Sequence, residues 1–164
     1  MSALIREVSG PQDYEAFAQL IRAYVAWLRA RYAEDAWFIT EVLDKQSFSS
    51  ELENLSAMYG PPNGRTLAAV QDGQVRGCGA YRRIGDGICE MKRLYIPAPF
   101  QGAGLGRQLC KALIDAARAD GYRLMRLDTG RLLKEAITMY RSLGFTECAP
   151  YHDYPDNLLP YLLF

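Results

Sequence analysis

Residues 90–128 read EMKRLYIPAPFQGAGLGRQLCKALIDAARADGYRLMRLD, which is an extended segment, a glycine-rich loop, a helix and a second extended segment. Gly102, Gly104 and Gly106 lie between the first extended segment and the helix. Because glycine has no Cβ, backbone amides can crowd around a ligand at these positions. The loop is therefore predicted to hold a phosphate group.

The helix that follows the glycines supports this prediction. From Leu105 onward, apolar residues recur at helical spacing, so one face of the helix is expected to be buried. Its first backbone amides have no partner within the helix, and together with the helix dipole they favour an anion. Residues 101–108 contain no acidic side chain, and Arg107 and Lys111 lie in the first two turns. These features favour a polyphosphate.

The spacing of the loop narrows the choice of polyphosphate. A nucleoside-triphosphate loop has Lys and then Ser or Thr after its last glycine, whereas Gly106 is followed by Arg107 and Gln108. A dinucleotide-binding loop needs its third glycine at Arg107 and normally follows its strand tightly. Asp128 nevertheless lies about 20 residues further on, where such enzymes contact a ribose. A dinucleotide-binding enzyme therefore remains an alternative.

The QGAGLG sequence at residues 101–106 resembles the Q/R-x-x-G-x-G/A motif of the Gcn5-related N-acetyltransferase (GNAT) superfamily. A strand ending in LYIP precedes this loop. The helix, the strand to Asp128 and an A-x-x-x-Y-x-x-x-G-F pattern at residues 136–145 follow in the family's order. The resemblance covers residues 66–148 well and the N-terminal part only loosely.

This resemblance implies an α/β (α+β) fold in a single acetyltransferase domain at residues 1–164. We expect a mixed, mostly antiparallel sheet of six or seven strands with helices on both faces. The coenzyme cleft would lie where two parallel strands, at 88–96 and 122–128, splay apart. The resemblance also implies a bulge in the strand before the loop, near Leu94.

The resemblance further implies that acetyl-CoA is the acyl donor. The main chain at the end of the first strand would pair with the pantetheine arm, and the loop amides would hold the pyrophosphate. The coenzyme-binding residues implied in this way are Leu94, Tyr95, Ile96, Gln101, Gly102, Ala103, Gly104, Leu105, Gly106 and Arg107.

Two residues are candidates for the catalytic roles. Tyr140 matches the tyrosine of the A-x-x-x-Y pattern, which implies that it reprotonates the departing thiolate. It could instead be a core residue in an apolar stripe of its helix. Glu90 is the candidate base, acting through a water molecule, on a strand that is otherwise rich in hydrophobic residues. The alternative for Glu90 is a surface pair with Lys92.

The predicted function is therefore transfer of an acetyl group from acetyl-CoA to a primary amine of a small molecule or peptide by direct nucleophilic attack. A non-catalytic acetyl-CoA sensor would carry the same loop and remains an alternative. Of the remaining conspicuous residues, Lys92 and Arg93 are expected on a solvated face. His152 is expected in an exposed loop, with the acceptor pocket as the alternative, and Asp128 in a turn before Gly130, with a contact to a water or to the acceptor as the alternative.

Composition limits the partners and the compartment. Lys plus Arg and Asp plus Glu number 19 each, so no overall field attracts nucleic acid or acidic membranes. The four cysteines are far apart and there is one histidine, so the spacing predicts neither a metal site nor disulfides. Reduced thiols and the lack of a long apolar run favour a soluble cytoplasmic protein. The resemblance also makes a homodimer possible.

Apolar periodicity and turn residues place the remaining elements. Two Asp-Gly turns, at 72–73 and 86–87, indicate a three-stranded antiparallel unit. The predicted strands are 4–8, 66–71, 75–84, 88–96, 122–128, 145–148 and 158–164. The predicted helices are 11–31, 37–43, 48–59, 104–120 and 131–143.

Overall fold

The computed structural model describes residues 3–164. Its strands and helices are, in chain order, β1 (Leu4–Glu7), α1 (Gly10–Arg31), α2 (Ala36–Lys45), α3 (Phe48–Glu53), α4 (Leu55–Tyr59), β2 (Gly64–Gln71), β3 (Gln74–Gly85), β4 (Ile88–Tyr95), α5 (Leu105–Ala119), β5 (Leu124–Arg126), β6 (Thr129–Gly130), α6 (Lys134–Ser142) and β7 (Leu162–Leu163). No helix within 3–164 combines the length and the apolar character that crossing a membrane requires.

Five strands form one sheet in the order β1-β2-β3-β4-β5. All neighbours in it are antiparallel except β4 and β5, which are parallel. β6 and β7 form a separate antiparallel pair. The mixed, mostly antiparallel architecture is therefore confirmed, with its seven strands divided between two sheets.

Helices cover both faces of the large sheet, as predicted. On one face, Leu109 and Leu113 of α5 pack against Tyr81 of β3. On the other face, Phe17 of α1 packs against Ala80 of the same strand. Because consecutive strand residues point to opposite faces, the alternation of Ala80 and Tyr81 separates the two cores.

The end of β4 carries the bulge that the resemblance implied. Cys78 of β3 lies opposite Tyr95, but Ala80, two residues further along, lies opposite Lys92. The extra residue on β4 is accommodated by Arg93, whose φ of 58° is in the left-handed region. Arg93 and Leu94 consequently have no register partner on β3.

The two parallel strands separate beside this bulge. β5 pairs with β4 only from Ile88 to Glu90, and the chain then leaves the large sheet to form β6. The predicted strand at 122–128 is thus shorter than expected. A cleft between two diverging parallel strands is the result, and it is where the sequence placed the coenzyme.

Three predicted elements differ from those in the structure. Residues 145–148 are not a strand but an exposed segment with a backbone hydrogen bond from Cys148 N to Phe164 O at 3.0 Å. The strand predicted at 158–164 is reduced to β7, because Pro160 lies in a 3₁₀ turn just before it. The helix predicted at 48–59 is interrupted at Asn54, so it forms α3 and α4.

A buried ion pair holds the bulge in place. Arg93 Nε donates to Glu51 Oε2 at 2.7 Å and Arg93 Nη2 donates to Glu51 Oε1 at 3.0 Å. Gln46 Oε1 and the hydroxyl of Tyr59 complete the network at 2.9 Å each. Both charged side chains are less than a tenth exposed, so the expectation that Arg93 lies on a solvated face was wrong. The bulge turns Arg93 toward the helices instead.

Glu51→Ala should strongly destabilise the fold, because it leaves the Arg93 guanidinium buried without a counter-ion. We expect the free energy of unfolding to fall by about 3–5 kcal/mol in denaturant titrations. The matched control is Glu53→Ala, an exposed glutamate on the same helix, for which we expect a change within about 0.5 kcal/mol. Similar effects in the two variants would contradict a structural role for the pair.

Candidate active site

A cleft of about 650 Å³ lies between the end of β4, the glycine loop and α6. Nine of the ten predicted coenzyme-binding residues line it, and Ala103 does not. Gly102 and Gly104 have φ values of 83° and 79°, a conformation that glycine adopts without strain. The side chain of Gln101 donates to Ile96 O at 2.8 Å and so ties the loop to the end of β4.

The polar groups of the cleft are suited to binding a polyphosphate. α5 begins at Leu105 with no side-chain cap and no acidic residue in its first turn, so its first amides can bind an anion. Arg107 lies beside them and donates to Ser142 Oγ at 2.5 Å. Arg31, at the end of α1, also lines the cleft. No pattern in the sequence indicates Arg31, because only the packing of α1 brings it to the cleft.

A smaller cavity of about 80 Å³ lies between β4, α1 and α2. It shares part of its lining with the large cleft: Tyr24, Leu94, Thr129, Leu133 and Tyr140. Molecules bound in the two cavities would therefore meet beside the β4 bulge. We refer to the smaller one as the acceptor cavity.

Tyr140 lies where the two cavities meet. Within residues 3–164 its hydroxyl has no hydrogen-bond partner, and its ring packs edge-on against Phe145 at 5.7 Å. Burial, followed by the nearby Tyr24, raises the pKa of this phenol well above 10. The ring belongs partly to the core, as the alternative proposed, but its protonated hydroxyl can still bond a ligand.

Glu90 is completely buried and lines neither cavity. Arg82 donates to its Oε1 at 3.0 and 3.1 Å, the hydroxyl of Tyr151 donates to its Oε2 at 2.6 Å, and His152 Nε2 contacts the same oxygen. Burial alone would oppose ionisation, but His152, the charge of Lys92 and Tyr151 together lower the pKa of Glu90 to about 2. The surface pair with Lys92 does not form.

Asp128 connects this buried carboxylate to the acceptor cavity. It lines the cavity just beyond the end of β5, accepts a 3.3 Å hydrogen bond from the hydroxyl of Tyr154, and has His152 Nε2 at 4.0 Å from its Oδ2. The expectation of an exposed His152 was wrong, since its side chain is largely covered by this contact and the one with Glu90. Asp128, expected in a simple turn, belongs to the site.

The carboxylates of Glu90 and Asp128 and the imidazole of His152 offer ligand atoms that lie within 4.8 Å of one another. Three such groups could hold a metal ion, which the spacing of Cys and His in the sequence could not reveal. Both oxygens of Glu90, however, already accept hydrogen bonds from Arg82 and Tyr151. The arrangement therefore favours a hydrogen-bonded relay over a metal centre.

Lys92 was also misplaced by the sequence analysis. It is 7% exposed and lines the acceptor cavity instead of a solvated face. Burial, followed by the nearby charge of Arg93, lowers the pKa of its ammonium group. Lys92 pairs with Ala80 and so lies on the face of the sheet that α1 covers, and the bulge turns Arg93 to the same face.

A model of the acetyltransferase (GNAT) family matches residues 26–145. An uncharacterised N-acetyltransferase of Schizosaccharomyces pombe is 36% identical over 160 residues, 96% of this chain and 91% of that protein. The uncharacterised N-acetyltransferase YjgM of Escherichia coli is 31% identical over 137 residues, 82% and 77% of the two chains. The fold matches that of PaiA N-acetyltransferase from Thermoplasma acidophilum in complex with coenzyme A, with a TM-score of 0.70, 20% identity and coverage of 99% and 98%. The chain belongs to the GNAT family of acetyltransferases.

Proposed function

We propose that this acetyltransferase transfers the acetyl group of acetyl-CoA to the primary amine of a small molecule or peptide by direct nucleophilic attack. The observation that carries the proposal is the meeting of the coenzyme cleft and the acceptor cavity at Leu94 and Tyr140. A donor in the cleft and an amine in the cavity would face each other there without a covalent enzyme intermediate.

The cleft has the features that the donor requires. The related fold of the Thermoplasma protein was solved with coenzyme A, and acetyl-CoA is the acyl donor here. The amides at the start of α5 and the side chain of Arg107 would hold the pyrophosphate. Leu94 and Tyr95 line the cleft beyond the bulge, where their main chain would bind the pantetheine arm. Acetyl-CoA, when bound, supplies the activated acetyl carbon.

Side chains around the junction of the two cavities would accept and donate the protons that the reaction transfers. Asp128 would accept one proton from the acceptor's ammonium group and pass it to His152, which Glu90 holds in place. As the new C–N bond forms and the C–S bond breaks, Tyr140 would donate a proton to the sulfur. The acylated nitrogen loses its second proton, which restores Tyr140, so one proton in total is released to solvent.

The backbone at the bulge can stabilise negative charge on the thioester oxygen. Leu94 has no register partner on β3, and β5 has already left the sheet at this point. Its amide is thus available to a ligand, which is the requirement for an oxyanion-binding donor. Glu90 would act on the amine only through His152 and Asp128, because it lies outside the cavity.

Acetyl-CoA should raise the melting temperature of the wild type, and at 100 times its dissociation constant the gain is about 2.7 kcal/mol. Gly104→Ala should lose about 1 kcal/mol of stability through left-handed strain and bind acetyl-CoA about tenfold more weakly. Gly121→Ala, with a φ of 92° and no neighbour near its Cβ position, should lose similar stability but no affinity. Equal affinities, or stabilisation by NADH instead, would refute the assignment of the loop.

Tyr140→Phe should reduce kcat about 100-fold at saturating acetyl-CoA, because no acid remains to protonate the sulfur. The KM for acetyl-CoA should change little. The assay follows release of the free CoA thiol with a panel of primary amines, and Tyr161→Phe, at a tyrosine that lines neither cavity, serves as control. Unchanged turnover would remove Tyr140 from the mechanism. Binding without turnover by the wild type would favour the sensor.

The buried carboxylate of Glu90 should make stability depend on acidity. Its pKa is lowered from 4.5 to about 2, so its contribution is complete above pH 5 and is lost as the pH falls toward 2. Between pH 5 and pH 3, we expect the wild type to lose about 2 kcal/mol more stability than Glu90→Gln. Glu53→Gln should behave like the wild type. Parallel curves for wild type and Glu90→Gln would contradict the assignment.

A further inference from the structure

Within residues 3–164, two charged side chains that line the acceptor cavity, Lys92 and Asp128, form no ion pair with a Lys, Arg, Asp or Glu side chain. Within the described residues, 3–164, Lys92 makes no hydrogen bond and has no carboxylate oxygen within 4.0 Å. Asp128 has no Lys or Arg nitrogen within that distance, and its nearest polar neighbours are Tyr154 and His152. The other charged side chains that are fully buried are all in ion pairs.

An unpaired ammonium group in such a place is costly. Lys92 is more than nine-tenths buried, and a buried charge is normally compensated by an opposite charge or several hydrogen bonds. A nearby carboxylate could have approached, since Asp128 lines the same small cavity, but the two groups stay more than 4.0 Å apart. Because both groups line the cavity, a small molecule bound there could contact both of them.

The part of the cavity wall that faces β4 from the helices is largely apolar. Phe38 and Ile39 of α2 and Leu28 of α1 line it, with no further charged group from either helix. Arg93 also lines the cavity, but its charge is matched by Glu51. The cavity thus offers one unmatched cation, one anion, an apolar helical wall and an opening toward Leu94 and Tyr140. Its volume of about 80 Å³ suits a molecule of a few heavy atoms.

From this arrangement we infer that the acceptor is a small free amino acid, bound as a zwitterion with its carboxylate on Lys92 and its ammonium group on Asp128. The inference rests on the proposed function and specifies its substrate class. It makes Lys92 a specificity-determining residue, since a plain amine or a peptide N-terminus would leave the ammonium group of Lys92 buried and unpaired. It also places the reacting nitrogen on the residue that we propose accepts its proton.

The test compares matched acceptors and matched variants. The acceptors are glycine, alanine and serine, the amines that lack their carboxylates (methylamine, ethylamine and ethanolamine), and the three amino-acid amides. The variants are Lys92→Met, which keeps the length of the side chain without its charge, and Lys45→Met, which removes an exposed lysine of α2. Release of the CoA thiol gives kcat/KM for each combination.

For at least one of the amino acids, kcat/KM should exceed the values for its amine and its amide by about 10- to 100-fold. This is the effect expected from losing one hydrogen bond between charged groups. Lys92→Met should abolish this preference by lowering kcat/KM for the amino acid alone, and Lys45→Met should preserve it. Equal use of amino acids and amines by the wild type, or a preference that survives Lys92→Met, would overturn the inference.

A binding measurement separates failure of this inference from failure of the proposed function. If no acceptor is acetylated, the proposed function fails, and calorimetric titration with the same amino acids in the presence of CoA still decides the substrate class. Binding to wild type but not to Lys92→Met supports it, and equal or absent binding overturns it. Lys92→Met should melt at or above the wild-type temperature, because it removes an unpaired buried charge, so lost activity would not reflect unfolding.

Discussion

The ion pair between Arg93 and Glu51 is the interaction on which the site depends. It holds one residue of β4 in a left-handed conformation that a long side chain does not adopt without compensation. The resulting bulge leaves Leu94 without a partner on β3 and directs two consecutive basic side chains to the same face of the sheet. The pair therefore stabilises the bulge at the point where β5 has left the sheet and the cleft begins.

The same pair links α3 to the sheet, and its contact with Gln46 connects α2, which lines the acceptor cavity, to the bulge. Glu51 comes from α3 and Gln46 from the end of α2, and Gln46 also donates to the hydroxyl of Tyr154 at 2.8 Å. Tyr154 in turn bonds Asp128. A continuous chain of polar contacts therefore runs from the bulge to the proposed proton acceptor, and each buried member has at least one partner.

Sequence reasoning succeeded where the signal is local. The glycine loop, the start of α5 and the Asp-Gly turns are specified by residues within a few positions of one another, and their periodicity or turn chemistry predicts them. It failed for Lys92, Asp128 and His152. Lys92 lies in regular register on a face of the sheet that only tertiary packing covers with helices, and His152 comes from an irregular loop whose position depends on packing against β4 and β5. No spacing in the sequence reports such contacts.

Buried charges in this protein fall into two groups: those paired with an opposite charge, which stabilise the fold, and that of Lys92, which we propose binds a ligand. The buried charges of Arg93 and Glu90 are each matched by an opposite charge at 3.0 Å or less, the arrangement expected where a charge serves the fold. Lys92 lies one residue from Arg93, equally buried, yet it is left without a match beside a cavity that opens to the proposed thioester site. Since the fold pairs its other buried charges, it could also have paired Lys92. An unmatched ammonium group is therefore better explained by a ligand that carries the missing carboxylate than by the requirements of folding.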